Sequence, residues 1–234
     1  MERLDKIVAV ATGESRKIAR GMILRGRITV DGVRIVDIGF KADAGSSVIA
    51  LDGNNITYKK YIYVMINKPE GVLSASEDKS RETVVDLVKR HFNRDGLFPV
   101  GRLDKNTTGL LIVTDDGDFG HKVISPKSYI EKEYIVGLDK PISNEDILKL
   151  EAGVTLVDGT VLRPAQVNVL ENRQNISVVI TEGKYHEIKR MLGTVGIGVE
   201  TLKRVRIGKL MLDPSLLTGE CREMSDEELS LVVK

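Results

Sequence analysis

The sequence predicts an α+β protein in two parts: a small α/β module over residues 1–59, then a larger domain over residues 60–234 with a mainly antiparallel, mixed β-sheet flanked by helices. Three observations carry that expectation. At 234 residues the chain can hold a small domain and a medium one with a real core. Its apolar runs alternate with tight turns and scattered helices, not with the regular crossovers of a doubly wound sheet. The pattern also changes at "YKKYIY", residues 58–63, the expected junction.

In the first part, Ser15 is a suitable N-cap for a short helix in "SRKIARGMILRG". On a helical wheel Ile18, Ala19, Met22 and Ile23 share one side, while Arg16, Lys17 and Arg20 fall on the other. "RITVDGVRI" reads as a hairpin turning at Asp31-Gly32, and "SSVIALDG" as a further short strand. In the second part "YVMINKP", "GLLIVTDD", "KEYIVGL", "VNVLE" and "NISVVITEG" read as strands. "ETVVDLVKRHF", "SNEDILKLEAG" (opened by Ser143 and closed by Gly153), "HEIKRMLGTVG" and "SDEELSLVVK" (capped by Ser225) read as helices.

A hydrophobic content of 41% with 29% charged residues suits a water-soluble globular chain. The longest apolar runs are strand-sized, so no membrane association is expected. No signal-peptide pattern opens the sequence and Cys221 is alone, so a cytoplasmic, disulfide-free monomer is expected. The net charge of +1 hides asymmetry: residues 1–60 hold 11 Lys/Arg against 7 Asp/Glu, and residues 183–209 hold 7 against 2. Arg16, Lys17, Arg20, Arg25 and Arg27 occur together with no intervening acid. Such local excess suits a footprint on a phosphate backbone, although a solvated basic helix face would look the same.

Several chemistries are excluded by spacing. His91, His121 and His186 are scattered, and no zinc-ligand pattern exists. "GTVGIG" lacks the spacing of a dinucleotide or phosphate loop. What remains is "FPVGRLDKNTTGLLIVTDDG", residues 98–117, where Asp104 stands without a histidine, cysteine or evident second carboxylate beside it. Taken singly, Asp104 reads as a turn-capping acid, Tyr134 as a half-buried strand aromatic, Lys189 as a solvated helix residue and Arg102 as an exposed loop cation. His186 reads as a packing or surface histidine.

Four segments in order, "INKPEGVLSAS", "PVGRLDKNTTGLLIVTDDGDF", "SPKSYIEKEYIV" and "EGKYHEIKRMLGTVGIGVETLKRVRIGKL", resemble the successive motifs of the RsuA family of ribosomal RNA pseudouridine synthases. Residues 3–58 resemble the RNA-binding module, of ribosomal-protein type, that precedes the catalytic domain there. The resemblance spans nearly the whole chain. It implies isomerisation of uridine to pseudouridine in structured RNA, without cofactor or metal. It makes Asp104 the catalytic carboxylate, Tyr134 the aromatic that stacks on the flipped base, and Lys189 the cation that partners Asp104, with Arg190 second in line. Arg102 falls on the arginine suited to a phosphate or to the space left by the base. Glu187 stands where the family more commonly has glutamine, and Thr107 and Gly109 fall on small residues that shape the loop.

The chemistry is coherent with one acid. An ionised carboxylate near the anomeric carbon can form an adduct with the sugar, attack the base or remove a ribose proton, and all three roles are open to Asp104. A hydrolytic glycosidase needs a second carboxylate to activate water, whereas for an isomerase water is a competitor. Extruding the base costs about a few kcal/mol, which RNA contacts must offset. The expectation is therefore a pseudouridine synthase acting on ribosomal RNA, with "KYHEIKRM" closer to the small-subunit branch, and with the RNA free or within an assembling subunit. The alternatives are the same chemistry on large-subunit RNA, a non-catalytic RNA-binding assembly factor, and a glycosylase that releases uracil.

Overall fold

The computed structural model describes residues 1–233, so the last residue of the expected terminal helix lies outside the described residues. The chain forms two compact units, one ending at Tyr61 and one beginning at Ile62.

The first unit contains helices Leu4–Thr12 and Arg16–Leu24 and a four-stranded antiparallel sheet in the order Val33–Ile35, Ile28–Val30, Ile49–Leu51, Asn54–Asn55. Ser15 caps the second helix, its side chain accepting from the Ile18 N–H at 3.3 Å. Ala19, Met22 and Ile23 form the buried stripe. Ile18, expected beside them, is 45% exposed, because the stripe that meets the core runs through positions 19, 22 and 23 and leaves 18 at its edge. Asp31 and Gly32 both take positive φ, 50° and 80°, as a tight hairpin with the right twist requires.

Helix Leu4–Thr12 was not expected from the sequence. It buries Leu4, Ile7 and Val8 and also Asp5, a charged residue in the core of a small unit. That carboxylate needs partners, and it finds two in the expected RNA-facing row, Arg16 Nη2 at 2.8 Å from Asp5 Oδ1 and Arg20 Nε at 2.8 Å from Oδ2, and a third in Arg3, whose Nε lies 3.1 Å from Oδ1. Burial alone would raise the Asp5 carboxyl, but the guanidiniums of Arg16, Arg20 and Arg3 override it and hold it well below the usual carboxylate range.

The second unit is organised by a twisted sheet with the order Gln166–Val169, Asn175–Ile180, Lys132–Leu138, Val199–Ile207, Thr108–Thr114, Tyr63–Lys68, Cys221–Glu223. Phe98–Val100 adds to Thr108–Thr114, and Leu210–Met211 to Val199–Ile207. Neighbours pair antiparallel except Val199–Ile207 with Thr108–Thr114, which are parallel. The sheet is covered on both faces. Along Tyr63–Lys68, Val64 and Ile66 join one core while Met65 joins the other; along Thr108–Thr114, Leu111 and Val113 part from Leu110 and Ile112 in the same way.

Helices Val84–Lys89, Asn144–Glu151 and Asp226–Val232 begin with reciprocal capping boxes, Thr83 with Asp86, Ser143 with Asp146 and Ser225 with Glu228. Gly117–Ile124 and Glu187–Gly193 are further helices of this unit. None of the described helices is long and apolar enough to cross a membrane.

The parallel junction needs Gly109. Its φ is +98°, and a Cβ there would come within 2.2 Å of the Arg204 carbonyl oxygen. This glycine lets the strand that follows Asp104 lie directly against the strand that carries Arg204.

Candidate active site

Asp104 sits on the short loop between Phe98–Val100 and Thr108–Thr114, and the loop is pinned from three directions. Ser74 and Leu103 exchange hydrogen bonds: the Leu103 N–H donates to Ser74 Oγ at 3.1 Å and the Ser74 hydroxyl donates to the Leu103 carbonyl at 2.9 Å. Within the loop, the Thr107 N–H donates to the Asp104 carbonyl at 3.0 Å. From below, the buried Lys68 ammonium donates to the carbonyls of Thr107, Pro69 and Lys105 at 2.8, 3.0 and 3.2 Å. Burial pulls Lys68 down to about 8, opposed in part by the charge of Asp104. A cation under the loop thus fixes three carbonyls.

Around Asp104 the cleft is lined by Arg102, Thr107, Tyr134, His186, Glu187 and Lys189, with Ile180, Ile188 and Leu202 as apolar wall. Lys189 Nζ lies 3.7 Å from Asp104 Oδ2, and His186 Nε2 lies 3.5 Å from Oδ1. These are Coulombic separations, longer than hydrogen bonds. His186 takes left-handed backbone, φ 50°, at the N-cap of helix Glu187–Gly193, and Tyr185 stacks on its ring at 3.8 Å. Lys189 follows one turn on, so one short segment presents both an imidazole and an ammonium to one carboxylate.

Tyr134 is 7% exposed, on the strand Lys132–Leu138. Its alternating burial places it inward, and it pairs with Arg204 across the strands. Arg204 is buried: Nε donates to the Leu110 carbonyl at 2.8 Å, Nη2 to the Gly101 carbonyl at 3.0 Å, and Nη1 reaches the Tyr134 hydroxyl at 3.5 Å. One guanidinium therefore ties together the glycine of the Asp104 loop, the strand behind it and the tyrosine. Its fixed fork suits that task better than an ammonium would.

A second carboxyl does line the cleft, contrary to expectation. Glu187 is 4% exposed and its Oε2 accepts from the Lys184 N–H at 2.7 Å. Burial pushes it up to about 7, with repulsion from Glu182 adding to the effect. A carboxyl so reluctant to ionise, and tied to its own backbone, is a poor base for activating water.

The structure brings together Asp104, Tyr134, Lys189 and Arg102, and separates Arg190 from them. Arg190 turns to the carboxylate of Asp158 and borders a different depression, beside Leu156 and Thr194. On a helix, positions 189 and 190 point about 100° apart, so only one can face Asp104. As an RNA contact Arg190 is likewise committed to an acid. The same holds elsewhere in the basic stretch 183–209: Lys184 Nζ lies 2.8 Å from Glu182, and Arg206 pairs with Glu133 and Glu131. In the first unit Arg16 and Arg20 are anchored on Asp5, and Arg27 Nε bonds Asp52 Oδ2 at 3.0 Å. The side chains of Arg16 and Arg20 remain about half exposed, while Lys17 and Arg25 lie on the exposed surface.

Sequence reasoning passed over Arg204, Lys68 and the nearness of His186. Arg204 lay within a basic run that read as surface. Lys68 lay in a strand pattern where a lysine reads as a polar terminus.

A carboxylate with a lysine and a histidine beside it, and a buried tyrosine held by Arg204, meet in one cleft, the kind of constellation that marks an enzyme site. Comparison with known proteins gives the class its family. The family model described as RNA pseudouridylate synthase matches residues 62–194, and the S4 domain model matches residues 2–48. The chain is 42% identical over 233 residues to RNA pseudouridine synthase YtzG of Bacillus subtilis, covering 98% of each chain. It is 38% identical over 233 residues to ribosomal small subunit pseudouridine synthase A of Escherichia coli, covering 99% of this chain and 100% of that one. A crystal structure of a pseudouridylate synthase superposes with a TM-score of 0.70 at 30% identity over the full length of both chains. The chain belongs to the RNA pseudouridylate synthase family, isomerases that convert uridine in RNA to pseudouridine, and carries an S4 domain at its N-terminus.

Proposed function

We propose that the chain isomerises one uridine of small-subunit ribosomal RNA, with Asp104 as the group that meets the reacting nucleotide. The observation that carries this reading is the meeting of Asp104 with Lys189 and His186 over a Tyr134 side chain locked by Arg204. The net reaction breaks the bond from ribose C1′ to N1 of uracil, turns the base and joins C1′ to C5. N1 gains a proton and C5 loses one, so no outside reactant is needed. The Lys189 ammonium stands beside Asp104 where charge develops at the sugar. Tyr134 offers its ring for stacking on the flipped base and its hydroxyl for hydrogen bonding. Arg102, exposed at the mouth of the cleft, is placed for a phosphate or for the gap in the RNA stack.

The full-length similarity to ribosomal small subunit pseudouridine synthase A supports the choice of RNA. The S4 domain supports a grip on structured RNA, with Lys17 and Arg25, and the outer edges of Arg16, Arg20 and Arg27, as its contacts. A cytoplasmic monomer acting on an assembling subunit completes the proposal. Pseudouridine mapping of both ribosomal RNAs, from cells with and without the protein, tests it. One position in the small-subunit RNA should revert to uridine. Loss of a large-subunit position instead would move the substrate, and an unchanged map of both RNAs would contradict the reading.

A further inference from the structure

Native proteins pair nearly all their buried polar atoms, and an unpaired one calls for an explanation. Among the described residues, Thr107 Oγ1 and Glu187 Oε1 are buried side-chain oxygens without a hydrogen-bond partner, and both residues line the cleft that holds Asp104. Thr107 is 1% exposed and lies three positions after Asp104; Glu187 opens the helix that carries Lys189. Each orphan has lost its water in the free protein without gaining a partner in exchange. Two of them around one carboxylate suggest hydrogen bonds completed only when a base is present.

We infer that Thr107 and Glu187 are the donors that hold the two carbonyl oxygens of the flipped uracil, the Thr107 hydroxyl donating to one and a neutral Glu187 carboxyl donating from Oε1 to the other. This rests on the uridine-isomerase reading of the same cleft. Oε2 already accepts from the Lys184 N–H, so that edge of the carboxyl is an acceptor and the proton belongs on Oε1.

The surroundings favour the neutral form. Burial opposes ionisation of Glu187, and so does Glu182, through its charge and through a side-chain hydrogen bond that a base entering the cleft must compete with, while the Lys184 backbone and charge favour it. Lys132, buried on the facing strand, feels the Glu187 charge and is itself pulled down to about 8 by burial and by Arg204. His186 and Lys189, on the same segment, turn to Asp104. Two donors match uracil, which has two ring carbonyls. They mismatch cytosine, whose amino group would meet a donor, and a site built around substrate hydrogen bonds rejects such analogues strongly.

The test uses full-length protein and two readouts. In the first, the titration of Glu187 is followed by carbon NMR with and without saturating uridine 5′-monophosphate. The nucleotide should raise the titration midpoint, because a carboxyl that donates to the base resists losing its proton. An unchanged midpoint overturns the inference whether or not the protein turns over RNA. In the second, turnover of a small-subunit RNA fragment is compared across pH. Glu187→Gln presents an N–H at the Oε1 position, so its activity relative to wild type should rise as pH passes 7, while Glu187→Leu should be at least tenfold impaired throughout. Thr107→Val should lower kcat/KM about tenfold with undiminished thermal stability. A Glu187→Gln profile parallel to wild type would also overturn the inference. A raised midpoint without pseudouridine formation would leave the base contacts standing and sink the isomerase reading instead.

Discussion

Lys189 Nζ stands 3.7 Å from Asp104 Oδ2, near enough for strong Coulomb attraction at a partly buried site and too far for a direct hydrogen bond. The gap leaves the lone pairs of the carboxylate for the substrate. Lys189→Ala should lower kcat about 100-fold with modest loss of stability. Arg190→Ala, which removes a partner of Asp158, should leave turnover within a few-fold of wild type. Single-turnover kinetics on ribosomal RNA separate the two, and the opposite ranking would reassign the counter-ion.

Arg204 should act as a structural lock more than as a surface cation. Arg204→Met leaves the carbonyls of Gly101 and Leu110 and the Tyr134 hydroxyl without their donor, and should cost about 3 kcal/mol in chemical denaturation. Arg204→Lys should recover only part of this, since an ammonium cannot reproduce the fork. A loss under about 1 kcal/mol for Arg204→Met would show that the lock is dispensable.

The strand around Arg204 also shows where sequence reading stopped. Val199–Ile207 is central to the sheet, yet glutamate, lysine and two arginines break its apolar alternation, so it read as a basic surface run. The buried arginine on its inward face is what hid it. Helix Leu4–Thr12 escaped for a related reason: Arg3 at its N-cap makes no side-chain cap bond, and the charge of Asp5 on its buried face masks the stripe. By contrast, helices with Ser or Thr caps and strands with clean alternation were legible, because their signals are local. Asp104, Tyr134 and Lys189 stood out through ordered motifs. His186, Lys68 and the carboxyl of Glu187 did not, since only the fold brings distant segments to one cleft.

Glu187 should make stability fall as pH rises. Its folded pKa, about 7, is above the ordinary glutamate value, so between those values the folded state binds the extra proton. The stability this supplies is fully present below the unfolded value and is lost as pH passes 7. Glu187→Gln, measured by urea unfolding, should therefore be more stable than wild type at pH 8, on the order of 2 kcal/mol, with the advantage shrinking toward pH 5. Equal stability at both pH values would mean that the carboxyl ionises freely.

Asp5 should behave in the opposite sense. Its depressed folded value means that it stabilises above the unfolded carboxylate range, and that this contribution is lost as pH falls through the folded value. Unfolding of residues 1–61, followed by hydrogen exchange, should become easier below about pH 4 in wild type, and Asp5→Asn should weaken that dependence. An acid profile unchanged by the substitution would show that the arginines do not depend on this carboxylate.

Lys17 and Arg25 are the cations of the second helix and its C-cap that can be removed without disturbing Asp5. Lys17→Ala with Arg25→Ala should weaken binding to small-subunit RNA and reduce the log–log salt slope by about 0.7 for each single-strand phosphate that is no longer neutralised. An unchanged slope would mean that this face does not touch RNA.

The most direct test is Asp104→Ala. The loop is held through backbone carbonyls, Ser74 and Lys68, none of which uses the Asp104 side chain, so the variant should fold and bind RNA as wild type does. Pseudouridine formation on small-subunit ribosomal RNA should then fall below detection under single-turnover conditions. Retained turnover in a folded Asp104→Ala protein would contradict the account.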